Sequence, residues 1–99
     1  MTIRKEQKDN QLTVYLEGKL DTVTAPDLEA EMKSSLEGVK ALVFELKDLS
    51  YISSAGLRVL LSCQKVMNRQ GTMVIRGASA DLVEIFDVTG FSDIFTIEE

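Results

Sequence analysis

Segments with a two-residue apolar period alternate along this 99-residue chain with segments of a three-to-four-residue period, and few folds accept that alternation. From Gln11 to Glu17, Leu12, Val14 and Leu16 fall on one face and Thr13, Tyr15 and Glu17 on the other, the pattern of a half-buried strand. Ile3 to Lys5 is expected to pair with it through a turn at Lys8-Asp9-Asn10. Thr24, three residues before Asp27 and with Pro26 in the first turn, reads as a capping-box-like helix start. Ala25, Leu28, Met32 and Leu36 would be that helix's buried stripe and Gly38 its left-handed stop.

Ala41-Leu42-Val43-Phe44, continued by Glu45 and Leu46, is a short apolar run expected in mid-sheet and buried on both faces. Lys47 to Ile52 reads as a loop. The longest helical pattern follows, with Leu57, Leu60, Leu61, Val66 and Met67 toward the core and Arg69-Gln70-Gly71 as its end. Thr72 to Arg76 is again strand-like, Ser79 caps a short helix carrying Leu82, Ile85 and Phe86 that Gly90 ends, and Ile94 to Ile97 is expected as an edge strand. The order β-β-α-β-α-β-α-β predicts an α/β fold, with three principal helices and a mixed, mainly parallel sheet of four to five strands. Sites in such sheets favour the loops beyond the strands' carboxyl ends, where Asp21, Thr22 and the Asp48 to Ser54 stretch would lie.

Composition narrows the function classes. Lys and Arg total 11 against 16 Asp and Glu, a net charge of -5, which disfavours nucleic acid and anionic membranes as partners. With no histidine and one cysteine, Cys63, the usual Cys/His zinc site and an intrachain disulfide are both impossible, and a cytoplasmic setting fits. Glu-Gln-Lys-Asp-Asn-Gln stands where a secretory signal would need an apolar stretch, and no apolar run approaches transmembrane length. No Walker motif is present, and no cofactor is expected.

The segment that carries chemistry is Asp48-Leu49-Ser50-Tyr51-Ile52-Ser53-Ser54-Ala55-Gly56-Leu57, running from a strand end into a helix. Either Ser53 or Ser54 can be an ordinary N-cap. A helix start also offers unpaired N–H groups and partial positive charge, which suit a phosphate on one of these hydroxyls. Ala55 and Gly56 leave room for another protein's active site, or serve close packing of helix on sheet. Leu57 reads as core, Tyr51 has no assigned side, and Arg58 is either a solvated surface residue or a contact for phosphate or partner.

That segment resembles the signature of STAS domains, specifically the bacterial anti-sigma factor antagonists; Gly18-Lys19-Leu20-Asp21, with Thr24-Ala25 and Leu28, resembles a second element of the family. The resemblance covers essentially the whole chain and implies a single STAS domain over residues 1–99. In that family an anti-sigma factor, itself an ATP-dependent serine kinase, phosphorylates a serine just after the loop, and a protein serine phosphatase reverses the step. The unphosphorylated antagonist binds the anti-sigma factor and frees the sigma factor.

The resemblance carries the phosphoacceptor over to Ser54, matches Asp21 to a carboxylate near it, and implies a partner-facing set of Asp21, Thr22, Ser50, Ser53, Ser54, Ala55, Gly56 and Arg58. One departure stands out: many members have aspartate just before the acceptor, and this chain has Ser53. Recognition then relies on Asp21 and the loop backbone, or Ser53 is an alternative acceptor, or this member is not phosphorylated.

Catalysis is the weakest rival. A Ser-His-Asp triad cannot be built and the Gly-x-Ser-x-Gly elbow is missing, which leaves only a Ser-Lys pair with Lys19 or Lys65. The closer alternative is a STAS module serving another assembly, such as a stress-sensing complex, a different kinase switch or a transporter accessory subunit. A purely structural domain, its serines serving only as caps, is the third.

Overall fold

The structure, a computed structural model, describes residues 1–98. β1 (Thr2–Lys8) and β2 (Gln11–Leu20) form the hairpin, in antiparallel register from Lys8↔Gln11 to Thr2↔Glu17, so the first strand outruns the Ile3 to Lys5 segment. Asp9, at φ 57°, makes the turn in the left-handed conformation that Asp tolerates better than most side chains. The Asn10 carbonyl then accepts from Lys40 and Ala41 N–H, which starts β3 beside β2.

α1 (Ala25–Lys33) buries Ala25, Leu28 and Met32 but stops five residues before Gly38. The hydroxyls of Ser34 and Ser35 both donate to the Glu31 carbonyl, local bonds that compete with the helical ladder. Leu36 is still buried, from the loop.

β3 (Ala41–Ile52) corrects the sequence reading most. Lys47 to Ile52 is strand, not loop. Between Tyr15↔Glu45 and Glu17↔Asp48, β3 spends one residue more than β2, and it does so again between Gly18↔Leu49 and Lys19↔Tyr51. Two bulges reset the phase, so the core-facing residues fall at Leu46, Leu49 and Ile52, three apart, a spacing that a two-residue period does not detect.

α2 (Ser54–Gln70) follows, burying Leu57, Leu60 and Met67 as expected together with Val59 and Cys63, while Leu61 and Val66 stay half-buried. Burial, with Glu29 adding to it, pushes the Cys63 thiol up to about 12, so this cysteine behaves as a small apolar residue. β4 (Thr72–Arg76) leads to α3 (Ala80–Val88), capped by Ser79, whose hydroxyl accepts from Leu82 N–H at 3.2 Å, and followed by Gly90 at φ 81°. A single 3-10 turn at Phe91–Asp93 separates α3 from β5 (Thr96–Glu98), which starts two residues later than expected because Phe95 goes to the core, edge-on to Phe86.

The sheet order is β1-β2-β3-β4-β5, with β2 to β5 parallel. All three helices sink their apolar stripes into one cluster with Leu12, Val14, Leu42, Phe44, Met73 and Ile75. Val43 is 5% exposed, so β3 is buried on both sides, yet it stands outside that cluster. Its row belongs to a second sheet face, where Arg4 lies 3.8 Å over the Tyr15 ring, Glu45 is level with Arg76, and Arg76 pairs with Glu98 at 2.9 Å. Oppositely charged neighbours let this face meet water without a helix over it.

At the far end of α2, a Cβ on Gly71 would come within 1.9 Å of the Lys40 carbonyl oxygen. The obstacle is backbone, so it cannot swing aside. Gly71→Ala should therefore cost about 1–3 kcal/mol of stability, read as a lower midpoint in denaturant with an unchanged slope.

Candidate functional site

The carboxyl ends of β2 and β3 are level, with Leu20 opposite Ile52, and the Ser53 N–H donates to the Leu20 carbonyl at 2.8 Å, one step beyond the ladder. That bond sets where α2 begins. Ser53 has extended backbone, its carbonyl accepts from Leu57 N–H at 2.9 Å, and its hydroxyl accepts from Gly56 N–H at 3.3 Å, so it is the N-cap. Ser54 is the first helical residue and is exposed, and among the described residues its hydroxyl has no hydrogen-bond partner. The two adjacent hydroxyls thus differ: one is committed to the helix, the other is free.

Gly56 is buried, and a Cβ there would lie 2.6 Å from Leu20 Cγ and 3.0 Å from Ile52 Cγ1. Between the two explanations for a small residue at this position, geometry selects close packing of helix on sheet. Gly56 therefore cannot itself touch a partner; it holds the serine-bearing end down. Ala55 is half-exposed beside it.

Asp21 follows β2 and lies next to the Ser53 end of β3 by the same register. Its Oδ1 accepts from the N–H groups of Val23 and Thr24, each at 3.0 Å, while Thr24 Oγ1 accepts from Asp21 N–H at 2.9 Å. This is a reciprocal capping box, but Asp21 and Thr24 form it rather than Thr24 and Asp27; Thr24 makes no side-chain cap bond within α1. The Thr24 N–H, ahead of the other contacts, holds the Asp21 carboxyl below its ordinary value. The Asp21 carboxylate is thus engaged in shaping its own loop.

Ser50 lies inside β3 at the second bulge, where its hydroxyl donates to the Gly18 carbonyl at 2.9 Å. Thr22, Ala55 and Arg58 line one depression between the starts of α1 and α2, and Arg58 is exposed one turn beyond Ser54. Of the implied set, then, Thr22, Ser54, Ala55 and Arg58 present themselves outward, whereas Ser53, Gly56 and Asp21 build the platform. Leu57 is core, and Tyr51 is 46% exposed. Val23, 80% exposed in the Asp21 turn, was not legible as part of the site, because a single valine inside a turn breaks no periodic pattern. Among the described residues no cluster of His, Cys, Asp or Glu could hold a metal ion, and no helix is long and apolar enough to cross a membrane.

Comparison with known proteins identifies the family and the fold. The STAS domain family model matches residues 2–99. The anti-sigma-B factor antagonist of Bacillus subtilis is 33% identical over 93 residues, covering 93% of this chain and 85% of its own. Among solved structures, an anti-sigma factor antagonist from Mycobacterium paratuberculosis superposes with a TM-score of 0.87 at 24% identity, over 97% of this chain and 83% of that one. The Bacillus cell fate determinant SpoIIAA in its phosphorylated form does so with a TM-score of 0.77 at 16% identity, over 99% and 92%.

The Asp21 cap makes a prediction about acid. A carboxyl depressed in the folded state contributes its full stability above the unfolded value of 3.8 and loses it as pH falls toward the folded value. Asp21→Asn keeps an acceptor for both N–H groups and should flatten the loss of stability below about pH 4. Asp21→Ala, which removes the acceptor altogether, should lower stability at neutral pH as well. Denaturant titrations at several pH values distinguish the two.

Proposed function

Since the chain belongs to the STAS domain family, we propose that it is an anti-sigma factor antagonist: a cytoplasmic partner-switching protein rather than a catalyst, phosphorylated on Ser54 by an anti-sigma factor serine kinase and restored by a protein serine phosphatase. Unphosphorylated, it binds the anti-sigma factor and frees the sigma factor for transcription. One observation carries the choice of residue: of two adjacent serines, only Ser54 is exposed with an uncommitted hydroxyl, while Ser53 is used as the cap.

The departure at Ser53 also has an account on this reading. Aspartate and serine are both strong N-caps, so the position before the acceptor needs a side-chain oxygen for Gly56 N–H, and Ser53 supplies one. Phosphorylation adds about -1.5 to -2 charges, taking the chain from -5 to about -7. A helix N-terminus accommodates that charge, so the fold persists and the change stays on the surface. A hundredfold loss of affinity needs only about 2.7 kcal/mol. One phosphate buried without good partners at an interface, near the ionised Asp21, supplies it.

Incubation with the host's anti-sigma factor kinase and ATP should add one phosphate, mapped by mass spectrometry to Ser54, and release the complex. Ser54→Ala should remain bound under the same conditions, and Ser53→Ala should still be phosphorylated while losing about 1 kcal/mol of stability. Phosphate on Ser53, or a Ser54→Ala protein released by kinase and ATP like the wild type, would refute the assignment.

A further inference from the structure

The two edges of the sheet differ. β5 is three residues long, whereas β1 runs for seven and is exposed at every position except the half-buried Ile3. Of the usual guards of a free edge, β1 has no proline and no bulge, only charged side chains. A two-residue turn closes on Lys8↔Gln11, so that pair shares the first bonds of the hairpin, and Glu6, Arg4 and Thr2 share the next ones at every second position. Ile3, Lys5 and Gln7 therefore direct their N–H and C=O groups away from β2. Among the described residues nothing bonds to these backbone groups.

The charges along this edge are complementary to themselves. When two β1 strands are laid antiparallel, outward-directed residues must pair with outward-directed residues, so the allowed registers differ by two residues. The register centred on Lys5 sets Ile3 against Gln7 and Arg4 against Glu6 of the second copy, each twice by symmetry. The next register on either side sets Arg4 against Arg4 or Glu6 against Glu6. Arg4 and Glu6 share the open sheet face, where Arg4 lies 3.8 Å over the Tyr15 ring and the Tyr15 hydroxyl donates to Glu6 at 3.4 Å. The one like pair, Lys5 with Lys5 at the dyad, falls on the helix face. There each ammonium is turned to its own chain, to Ser35 at 2.9 Å and Glu31 at 3.4 Å.

We propose that the chain forms a homodimer by antiparallel pairing of β1 with β1 of a second copy, in the register centred on Lys5. Backbone hydrogen bonds then join Ile3 to Gln7 at both ends of the seam and Lys5 to Lys5 between them, and the two sheets become one continuous sheet. The dyad stands perpendicular to that sheet, so β2 and β3 of the two copies run in opposite directions. The Ser54 ends of the two α2 helices lie at opposite ends of the joint sheet, and both stay open. The inference is independent of the phosphoacceptor reading. A seam one strand wide is a small interface, so the dimer belongs to the weak class that forms at high concentration.

Sedimentation velocity from about 10 μM to about 1 mM tests this, and the wild type should pass from monomer toward dimer over that range. Arg4→Glu sets acid against acid across the dyad and Glu6→Arg sets base against base, so each alone should weaken association about tenfold. Mixed in equal amounts, the two variants again oppose unlike charges and should associate as the wild type does, a rescue that requires the two strands to face each other. Arg4→Glu lowers the net charge of -5 by two and Glu6→Arg raises it by two, so an effect of net charge alone would move the two variants in opposite directions. Gln7→Pro removes an outward N–H, leaves the hairpin's own bonds in place and should abolish the dimer. A wild type still monomeric at about 1 mM overturns the proposal. So does a dimer that Gln7→Pro and both reversals leave intact, which would place the contact on another surface, and so does a mixture of the two reversals that associates no better than either alone.

Discussion

The pairing of β2 with a longer, twice-bulged β3 is the constraint on which the rest of the site depends. By spending two extra residues against β2, β3 brings Ile52 level with Leu20 while turning Leu46, Leu49 and Ile52 all toward the core. The next N–H, of Ser53, then bonds the Leu20 carbonyl, and α2 leaves the sheet at that point. Slipping this register by one residue would exchange the faces of Leu49 and Ile52 and strand the helix start away from the Asp21 turn. The bulge has its own closure in the Ser50 hydroxyl, which donates to the Gly18 carbonyl.

Most of the fold was legible because most of it obeys one period per element. The hairpin, α2 and α3 follow the alternation of apolar residues closely, and Ser79 and Gly90 mark the limits of α3 as their chemistry suggests. The misreadings are places where two signals compete. Lys47 to Ile52 looked like loop because a bulged strand repeats in threes. Gly38 looked like a helix stop, yet Ser34 and Ser35 had already diverted the Glu31 carbonyl. Thr24 and Asp27 had the right spacing for a capping box, but Asp21 stands the same distance before Thr24 and forms the reciprocal pair. Which of two equal spacings is used depends on where β2 ends, a tertiary fact.

At the site itself, the motif showed the neighbourhood and only coordinates could separate the roles within it. Ser53 and Ser54 are the same side chain one position apart, and a shift of one residue across a helix boundary makes the first a structural acceptor and the second a free hydroxyl. The same holds for charge: Asp21, a carboxylate beside the serines, is taken up by two backbone N–H groups, whereas Arg58, which sequence could equally place in solvent, lines the depression at the head of α2. Exposed Val23 and Tyr51 add apolar surface around that point.

Gly56 has a consequence beyond packing. With Leu20 and Ile52 pressed against the place where a Cβ would be, the serine-bearing end of α2 has no room to shift toward the sheet, and a modification there cannot be relayed inward as a movement of the core. On the proposed function, nothing inside the domain must relax after phosphate is added to or removed from Ser54, so the timing of the signal would rest with the kinase and the phosphatase rather than with the fold.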